Sequence, residues 1–147
     1  MKQRFDVSKL IPEGYKAMYG VHTYLQGSGI DLGLLELVRL RVSQINGCAF
    51  CVAMHIPLGR KHGLGDHQIN LVATWKEAPV FSERERAALA WAEALTVIVA
   101  QEVPAPLYAR LQEHFSADEI AKLTLCIGEI NTWNRLMLAS STPPALD

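Results

Sequence analysis

The sequence lacks the features typical of membrane-spanning, secreted and nucleic-acid-binding proteins. No apolar run reaches the roughly 18 residues that a membrane-spanning helix needs, and the segment after Met1 has no apolar stretch typical of a secretory signal peptide. Neither sign of charge is in clear excess, because the chain has 14 basic and 15 acidic residues. Neither nucleic acid nor a membrane is therefore an expected partner. We expect a cytoplasmic protein that acts on a neutral or small substrate.

Patterns typical of β-strands are also missing, because no segment alternates in polarity between turn residues. The 147 residues suit one domain. We predict a single all-α unit over residues 1–147 with six to seven helices. Hydrophobic residues make up 50% of the chain, which is high for this size and favours a homo-oligomer that buries apolar surface between subunits.

Capping residues and turn pairs predict the helix boundaries. Two capping boxes are strong helix starts, Ser82 with Glu85 and Ser116 with Glu119. The predicted helices run from about Pro12 to Gly27, Asp31 to Ile45, Cys48 to His62, Asp66 to Lys76, Ser82 to Gln101, Leu107 to Phe115, and Ala117 to Ala139. Pro57 lies inside the third, where we expect a kink or a local break. The tail, residues 140–147, is predicted to be flexible.

Cysteine is scarce, and three residues are too few for a disulfide framework. Cys48 and Cys51 are separated by two residues, and His55 follows about one turn later. At about 100° per residue, Cys51 lies roughly 60° and His55 about 20° from Cys48 around a helix, so the three side chains share one face. The spacing allows a reversible Cys48–Cys51 disulfide. In a compartment that keeps thiols reduced, it indicates redox or metal chemistry.

Two arguments point to different sulfurs as the more reactive one. The turn pair Asn46-Gly47 places Cys48 at the start of a helix, where free amides and the helix dipole stabilise a thiolate. Cys51 instead lies one turn before His55, which can accept its proton. The residues alone leave this choice open.

Glu36 lies among large aliphatic residues near the middle of the preceding predicted helix. A carboxylate in such surroundings can orient a histidine and stabilise its charged form. The alternative is a polar stripe of Glu36, Arg39 and Ser43, with a weak Glu36–Arg39 pair that faces water. Spacing alone favours the stripe.

Four segments share features of one known family. They are Glu36 twelve positions before the motif Cys48-x-x-Cys51-x-x-x-His55, the segment 45–48, the segment 60–63, and the segment Ile130-Asn131-Thr132-Trp133-Asn134-Arg135. Together they resemble the AhpD-like alkylhydroperoxidase family, also called the carboxymuconolactone decarboxylase superfamily. The core of the resemblance covers about residues 31–63. For Glu36, the resemblance favours a carboxylate that orients His55 over a member of the polar stripe.

The resemblance implies an AhpD-like helical bundle and a peroxiredoxin-type alkylhydroperoxidase, an antioxidant oxidoreductase. In the implied cycle, Cys51 attacks an alkyl hydroperoxide or hydrogen peroxide, Cys48 resolves, and Glu36 and His55 relay protons. It implies no bound cofactor, because an external dithiol protein or small thiol reduces the disulfide. It also implies a homo-oligomer, with a hexamer favoured over a trimer.

One position departs from the best-known branch of that family, which has a histidine immediately before the second cysteine where this chain has Phe50. The resemblance therefore does not extend to a second proton relay at Cys48. Two other functions fit the residues. Cys48, Cys51 and His55 could supply three ligands of a zinc site, or the chain could be an oligomeric redox-sensing module that oxidises without turnover.

The remaining chemistry-bearing residues are interpreted as structural. Cys126 lies in an aliphatic segment and is expected to be a packed core thiol. His62 is expected to interact with the dipole at the end of its helix. Surface or structural positions are expected for His22, His67 and His114, and core or interface positions for Trp75, Trp91 and Trp133.

Overall fold

A computed structural model of the chain describes residues 2–100 and 102–145, and all of the regular structure in these ranges is helical. The all-α prediction is confirmed. The α-helices are α1 Val7–Leu10, α2 Pro12–Gln26, α3 Leu32–Asn46, α4 Ala49–Lys61, α5 Asp66–Leu71, α6 Glu83–Thr96, α7 Ala105–Gln112 and α8 Ala117–Ser140, and a 3-10 turn, Val72–Thr74, follows α5.

Helix α3 is the centre of the bundle. It packs against α4, α6 and α8, and apart from Arg41 every residue from Gly33 to Ser43 is buried. The largest apolar cluster lies between α3, α6 and α8, whereas α2 packs on α8 at the edge. Because α3 has no solvent-facing side, its polar residues must find partners inside the protein.

The predicted helix starts are confirmed where a side chain caps the helix. Asp31 accepts hydrogen bonds from the first amides of α3. Both capping boxes are formed, at Ser82 before α6 and at Ser116 before α8. Gly47 ends α3 in the left-handed conformation, with φ of 71°, which glycine adopts at little energetic cost.

Several boundaries differ from the prediction. Helix α1, capped by Asp6, was not predicted. Helix α5 begins after Gly65 and ends at Leu71, where the 3-10 turn brings Val72 and Trp75 into the core. Helix α6 ends at Thr96, five residues before the predicted end at Gln101, which lies outside the described residues. The predictions failed at ends that tertiary packing determines and where no strong capping residue stands.

Two further expectations, a local break at Pro57 and a tail that begins at Ser140, are wrong. Helix α4 runs without a break through Pro57, whose exposed ring costs the helix one backbone hydrogen bond. The tail does not begin at Ser140, because α8 includes this residue and Ser140 and Ser141 are buried. The Arg4 amide donates to the Ser140 carbonyl at 2.8 Å, so the N-terminal segment holds this end of α8. Leu146 and Asp147 lie outside the described residues.

Within the two described ranges, none of the helices has the length and apolar character that crossing a membrane requires.

Candidate active site

The connection between α3 and α4 places the two cysteines. Cys48 is the N-cap residue of α4, and its sulfur accepts a hydrogen bond from the Cys51 amide at 3.3 Å. A disulfide joins the two residues, whose Cα atoms are 5.3 Å apart. The i, i+3 spacing at the start of a helix thus forms the bond that the sequence allowed.

Hydrogen bonds to α8 hold the turn before Cys48. The Asn46 side chain donates to Asn131 at 3.0 Å and to Asn134 at 2.8 Å, and Asn134 donates to Ser43 at 3.0 Å. Asn131 and Asn134 belong to the segment 130–135, which carried part of the family resemblance. Their role in the structure is to fix the position of the cysteine pair relative to α8.

His55 lies one turn after Cys51 on α4 and is buried. Its Nδ1 donates to Glu36 Oε2 on α3 at 2.7 Å, so the pairing proposed for these two residues is present. His55 Nε2 is a buried atom without a hydrogen-bond partner in the described part of the chain. A buried ring held at one nitrogen and free at the other is suited to accept a proton there.

The Glu36–Arg39 pair also forms, at 2.7 Å, but both side chains are buried. The interpretation of a weak, water-facing pair is therefore wrong, because α3 is covered on all sides. Burial raises the pKa of Glu36, but the hydrogen bond and charge of His55 and the charge of Arg39 outweigh it and hold that pKa below its usual value. Glu36 is thus kept as a carboxylate that can stabilise a charged His55.

Glu129, which was not singled out from the sequence, completes this network and links it to His22. Arg39 also donates to Glu129 on α8 at 2.8 Å, and the other oxygen of Glu129 lies 3.3 Å from Nδ1 of His22 on α2. Burial raises the pKa of Glu129, but bonds to His22 and Arg39 outweigh it and lower the pKa overall. Like Glu36, Glu129 stands in an aliphatic stretch, between Gly128 and Ile130, and that signal could have identified it.

A cavity of about 460 Å³ opens beside this network. Cys51, His55, Arg39, Glu129 and His22 all contribute to its wall, whereas Cys48 does not. Large apolar side chains from α4 and α8 cover much of the rest, namely Phe50, Met54, Leu58, Ile130, Trp133 and Met137. Val7 and Met137, which also line the cavity, pack on the cysteine pair, and of the two cysteines Cys51 is the one that contributes to the cavity wall.

Other candidate residues lie away from this centre. Cys126 is a free, buried thiol in the main core, as expected. His62 ends α4, and His67 is exposed on α5. Over the part of the chain that the structure describes, no group of three or more His, Cys, Asp or Glu side chains is arranged to hold a metal ion. The zinc alternative therefore gains no support from the geometry.

Comparison with known proteins assigns the chain to a family. The sequence profile of the carboxymuconolactone decarboxylase family matches residues 12–94, a range that contains Glu36, both cysteines of the disulfide and His55. The chain belongs to this family. The uncharacterised protein YdfG of Bacillus subtilis is 40% identical over 139 residues, which cover 95% of each chain. The uncharacterised YnjA of Escherichia coli is 35% identical over 117 residues, 79% of this chain and 63% of YnjA.

A solved structure matches this chain over nearly all of its length. The crystal structure of ATU0492 from Agrobacterium tumefaciens has a TM-score of 0.96 and 42% identity, and the match covers 99% of this chain and 100% of that one. ATU0492 is a protein of unknown function for which an AhpD antioxidant defence role has been suggested. The AhpD-like resemblance and the helical fold predicted from the sequence are thereby confirmed.

Proposed function

We propose that this protein is a thiol-dependent peroxidase that reduces alkyl hydroperoxides or hydrogen peroxide through a reversible Cys48–Cys51 disulfide. The observation that carries the proposal is the buried His55 ring, held by Glu36 at 2.7 Å and lining the same cavity as Cys51. A thiol beside a base that a carboxylate orients is the arrangement that activates a sulfur nucleophile. The family assignment supports a peroxidase-related activity.

The chemistry proceeds in two displacements. His55 takes the proton of Cys51, and the thiolate attacks the terminal oxygen of the hydroperoxide, so an S–O bond forms as the O–O bond breaks. The peroxide is reduced to an alcohol or water, and Cys51 is oxidised to a sulfenic acid. Cys48 then attacks that sulfur, the disulfide forms and water leaves. An external dithiol reduces the disulfide by exchange.

The positions of the two cysteines support Cys51 as the nucleophile. Cys51 lines the cavity that a peroxide can enter and precedes His55 by one turn, whereas Cys48 lies behind it at the start of α4. The amide that donates to the Cys48 sulfur stabilises a thiolate there. This property suits a resolving cysteine that must attack the sulfenic acid.

The cavity and the surface support the remaining parts of the proposal. Six large apolar side chains in the cavity wall favour an organic hydroperoxide over hydrogen peroxide. The two sulfurs carry the electrons, so the cycle needs a dithiol donor and no bound cofactor. Val99 is 98% exposed and Ile98 is also exposed, which fits a homo-oligomer. The family resemblance favours a hexamer over a trimer. We place this cycle in the reducing cytoplasm.

Hydroperoxide consumption with dithiothreitol and with a panel of dithiol proteins tests the proposal, with intact mass recorded before and after oxidation. Cys51→Ser should abolish turnover, whereas Cys48→Ser should permit one oxidation that stops at the sulfenic acid. Cys126→Ala is the matched control and should turn over normally. Full turnover by Cys51→Ser would remove Cys51 as the nucleophile. Oxidation without turnover would indicate the redox sensor, and zinc in the purified protein would indicate the metal site.

The proton relay has its own test. His55→Ala should slow oxidation of Cys51 most at neutral and low pH, where the thiol predominates, and an unchanged pH–rate profile would remove His55 from the mechanism. Glu36→Gln should slow the reaction by about 10²-fold, since an amide cannot stabilise the imidazolium. Glu93→Gln is the control, because Glu93 also pairs with an arginine, Arg41 at 2.7 Å, but binds Trp75 and Lys76 where Glu36 binds a histidine.

A further inference from the structure

Arg39 joins two carboxylate–histidine pairs that are built alike. One guanidinium nitrogen donates to Glu36, whose other oxygen holds Nδ1 of His55. The second nitrogen donates to Glu129, whose other oxygen lies beside Nδ1 of His22. Arg39 and the two glutamates are buried, and both histidines line the cavity. The mechanism above uses only the pair that contains His55.

The two histidines differ in accessibility and in position. His55 is 3% exposed, whereas 24% of the His22 side chain is exposed. His55 stands on α4 with Cys51, but His22 stands on α2, which packs on α8. The cavity therefore has Cys51 and His55 on one wall and His22 on a wall contributed by a different helix.

The chemistry of peroxide reduction requires a proton in a second place. When a thiolate displaces one peroxide oxygen, the sulfur, the attacked oxygen and the leaving oxygen lie nearly in line. The leaving oxygen therefore departs on the side away from Cys51. An alkoxide is a strong base, so a positioned acid that protonates it as the O–O bond breaks accelerates the step.

Resting on the proposed peroxidase function, we propose that His22 is this acid: its protonated ring gives a proton to the leaving oxygen of the hydroperoxide. Cys51 gives its proton to His55, the O–O electron pair goes to the leaving oxygen, and the alcohol forms with the proton from His22. The exposed part of His22 recovers a proton from solvent. The proton on His55 leaves later with the hydroxide that Cys48 displaces, as water, and the proton of Cys48 returns to solvent.

The surroundings of His22 fit this exchange. Glu129 on α8 lies beside its Nδ1, and Arg39 on α3 fixes that carboxylate from behind. Gln26 and Tyr19, on the same helix, contact the ring. The Gln26 amide group lies 3.4 Å from His22 Nε2 and accepts from the protonated ring when it turns its oxygen to that nitrogen, and the ring centroids of Tyr19 and His22 are 5.5 Å apart. Asp6 also lines the cavity. These groups hold the ring in place and leave part of it open to water.

Two oxidants with different leaving groups test the assignment. Rapid-quench mass spectrometry follows disulfide formation in the reduced protein with tert-butyl hydroperoxide, which releases an alkoxide, and with peracetic acid, whose leaving acetate needs no proton. His22→Gln and His22→Ala should slow the reaction with tert-butyl hydroperoxide by about 10²-fold and change the reaction with peracetic acid by less than about threefold. His67→Gln, at an exposed site on α5, is the control and should change neither rate.

The outcomes separate the possible roles. Equal slowing with both oxidants would overturn the acid role and leave His22 a positioning residue, and unchanged rates with both would remove it from the reaction. Thermal unfolding of each variant establishes that it is folded. Failure of the proposed function is distinct, because the unsubstituted protein would then form no disulfide with tert-butyl hydroperoxide, or would form it once and not turn over with dithiothreitol.

Discussion

Cys51 and Cys126 are buried almost equally, at 1% and 0% exposure, yet their surroundings prepare them for different chemistry. Cys51 lies at the first turn of α4, on the wall of a cavity and one turn before a histidine. Cys126 lies in the middle of α8, inside the main apolar cluster. Burial raises its pKa to about 12, although the neighbouring Arg39 guanidinium acts in the opposite direction. A neighbouring histidine and a cavity wall, rather than a difference in exposure, distinguish the surroundings of Cys51 from those of Cys126.

The largest expected difference is in alkylation of the reduced protein. With a pKa of about 12, only about one Cys126 in 10⁴ is a thiolate at pH 8. Iodoacetamide should therefore label Cys51 at least about 10³-fold faster than Cys126, as followed by peptide mass spectrometry over time. Labelling of Cys126 should become fast only in denaturant. Rates within tenfold of each other in the folded protein would contradict this difference between the two thiols.

The next largest effect concerns the buried charges of Arg39, Glu36 and Glu129, which lie near both thiols. Arg39→Met leaves Glu36 and Glu129 buried without their cation, which should lower the free energy of unfolding by about 3–5 kcal/mol, measured in urea. Arg41→Met is the matched control. Its partner Glu93 keeps hydrogen bonds from Trp75 and Lys76 and is only partly buried, so the loss should be about 1 kcal/mol. Equal losses would show that burial of the network does not set its importance.

Acid should lower the stability of the protein through the two buried carboxylates that bind Arg39. The pKa values of Glu36 and Glu129 are lowered in the folded protein from their ordinary 4.5. Their partners therefore contribute stability that is fully present above about pH 4.5 and is lost as the pH falls through the lowered values. Urea unfolding across pH 3–6 should show this decline, and Glu36→Gln should make it shallower. An identical decline in that variant would assign the effect to other groups.

The smallest expected effect concerns the core thiol. Cys126→Ala removes one buried sulfur and should lower the free energy of unfolding by about 1 kcal/mol, while peroxide turnover stays within about twofold. Urea unfolding and the consumption assay measure the two quantities on the same sample. A large loss of turnover with intact stability would place Cys126 in the chemistry and remove the contrast with Cys51.

Local sequence predicted most of what lies close together in the chain. Capping residues gave the starts of α3, α6 and α8, because a side chain and the amides it caps are neighbours in sequence. The spacing of Cys48, Cys51 and His55 predicted the disulfide and the shared face for the same reason. The end of α5 and the attachment of Ser140 to the N-terminal segment escaped prediction, since contacts with distant residues decide them.

The candidate site shows the same division. Glu36 and His55 are 19 residues apart and could be paired from the family resemblance. Arg39 and Glu129 are 90 residues apart, and no spacing rule connects them. Spacing alone favoured a different interpretation of Glu36 and Arg39, a polar stripe that faces water. Only the packing of α4, α6 and α8 around α3 turns that stripe into a buried network.

By itself, then, the sequence determined the helical class, the redox pair on one helix face and the histidine that follows it, because these depend on helical periodicity and capping over a few residues. The tertiary structure decided the rest. It buried Glu36 and Arg39, brought Glu129 and His22 to them and placed a cavity beside Cys51, because desolvated charges must find partners wherever the fold brings them together.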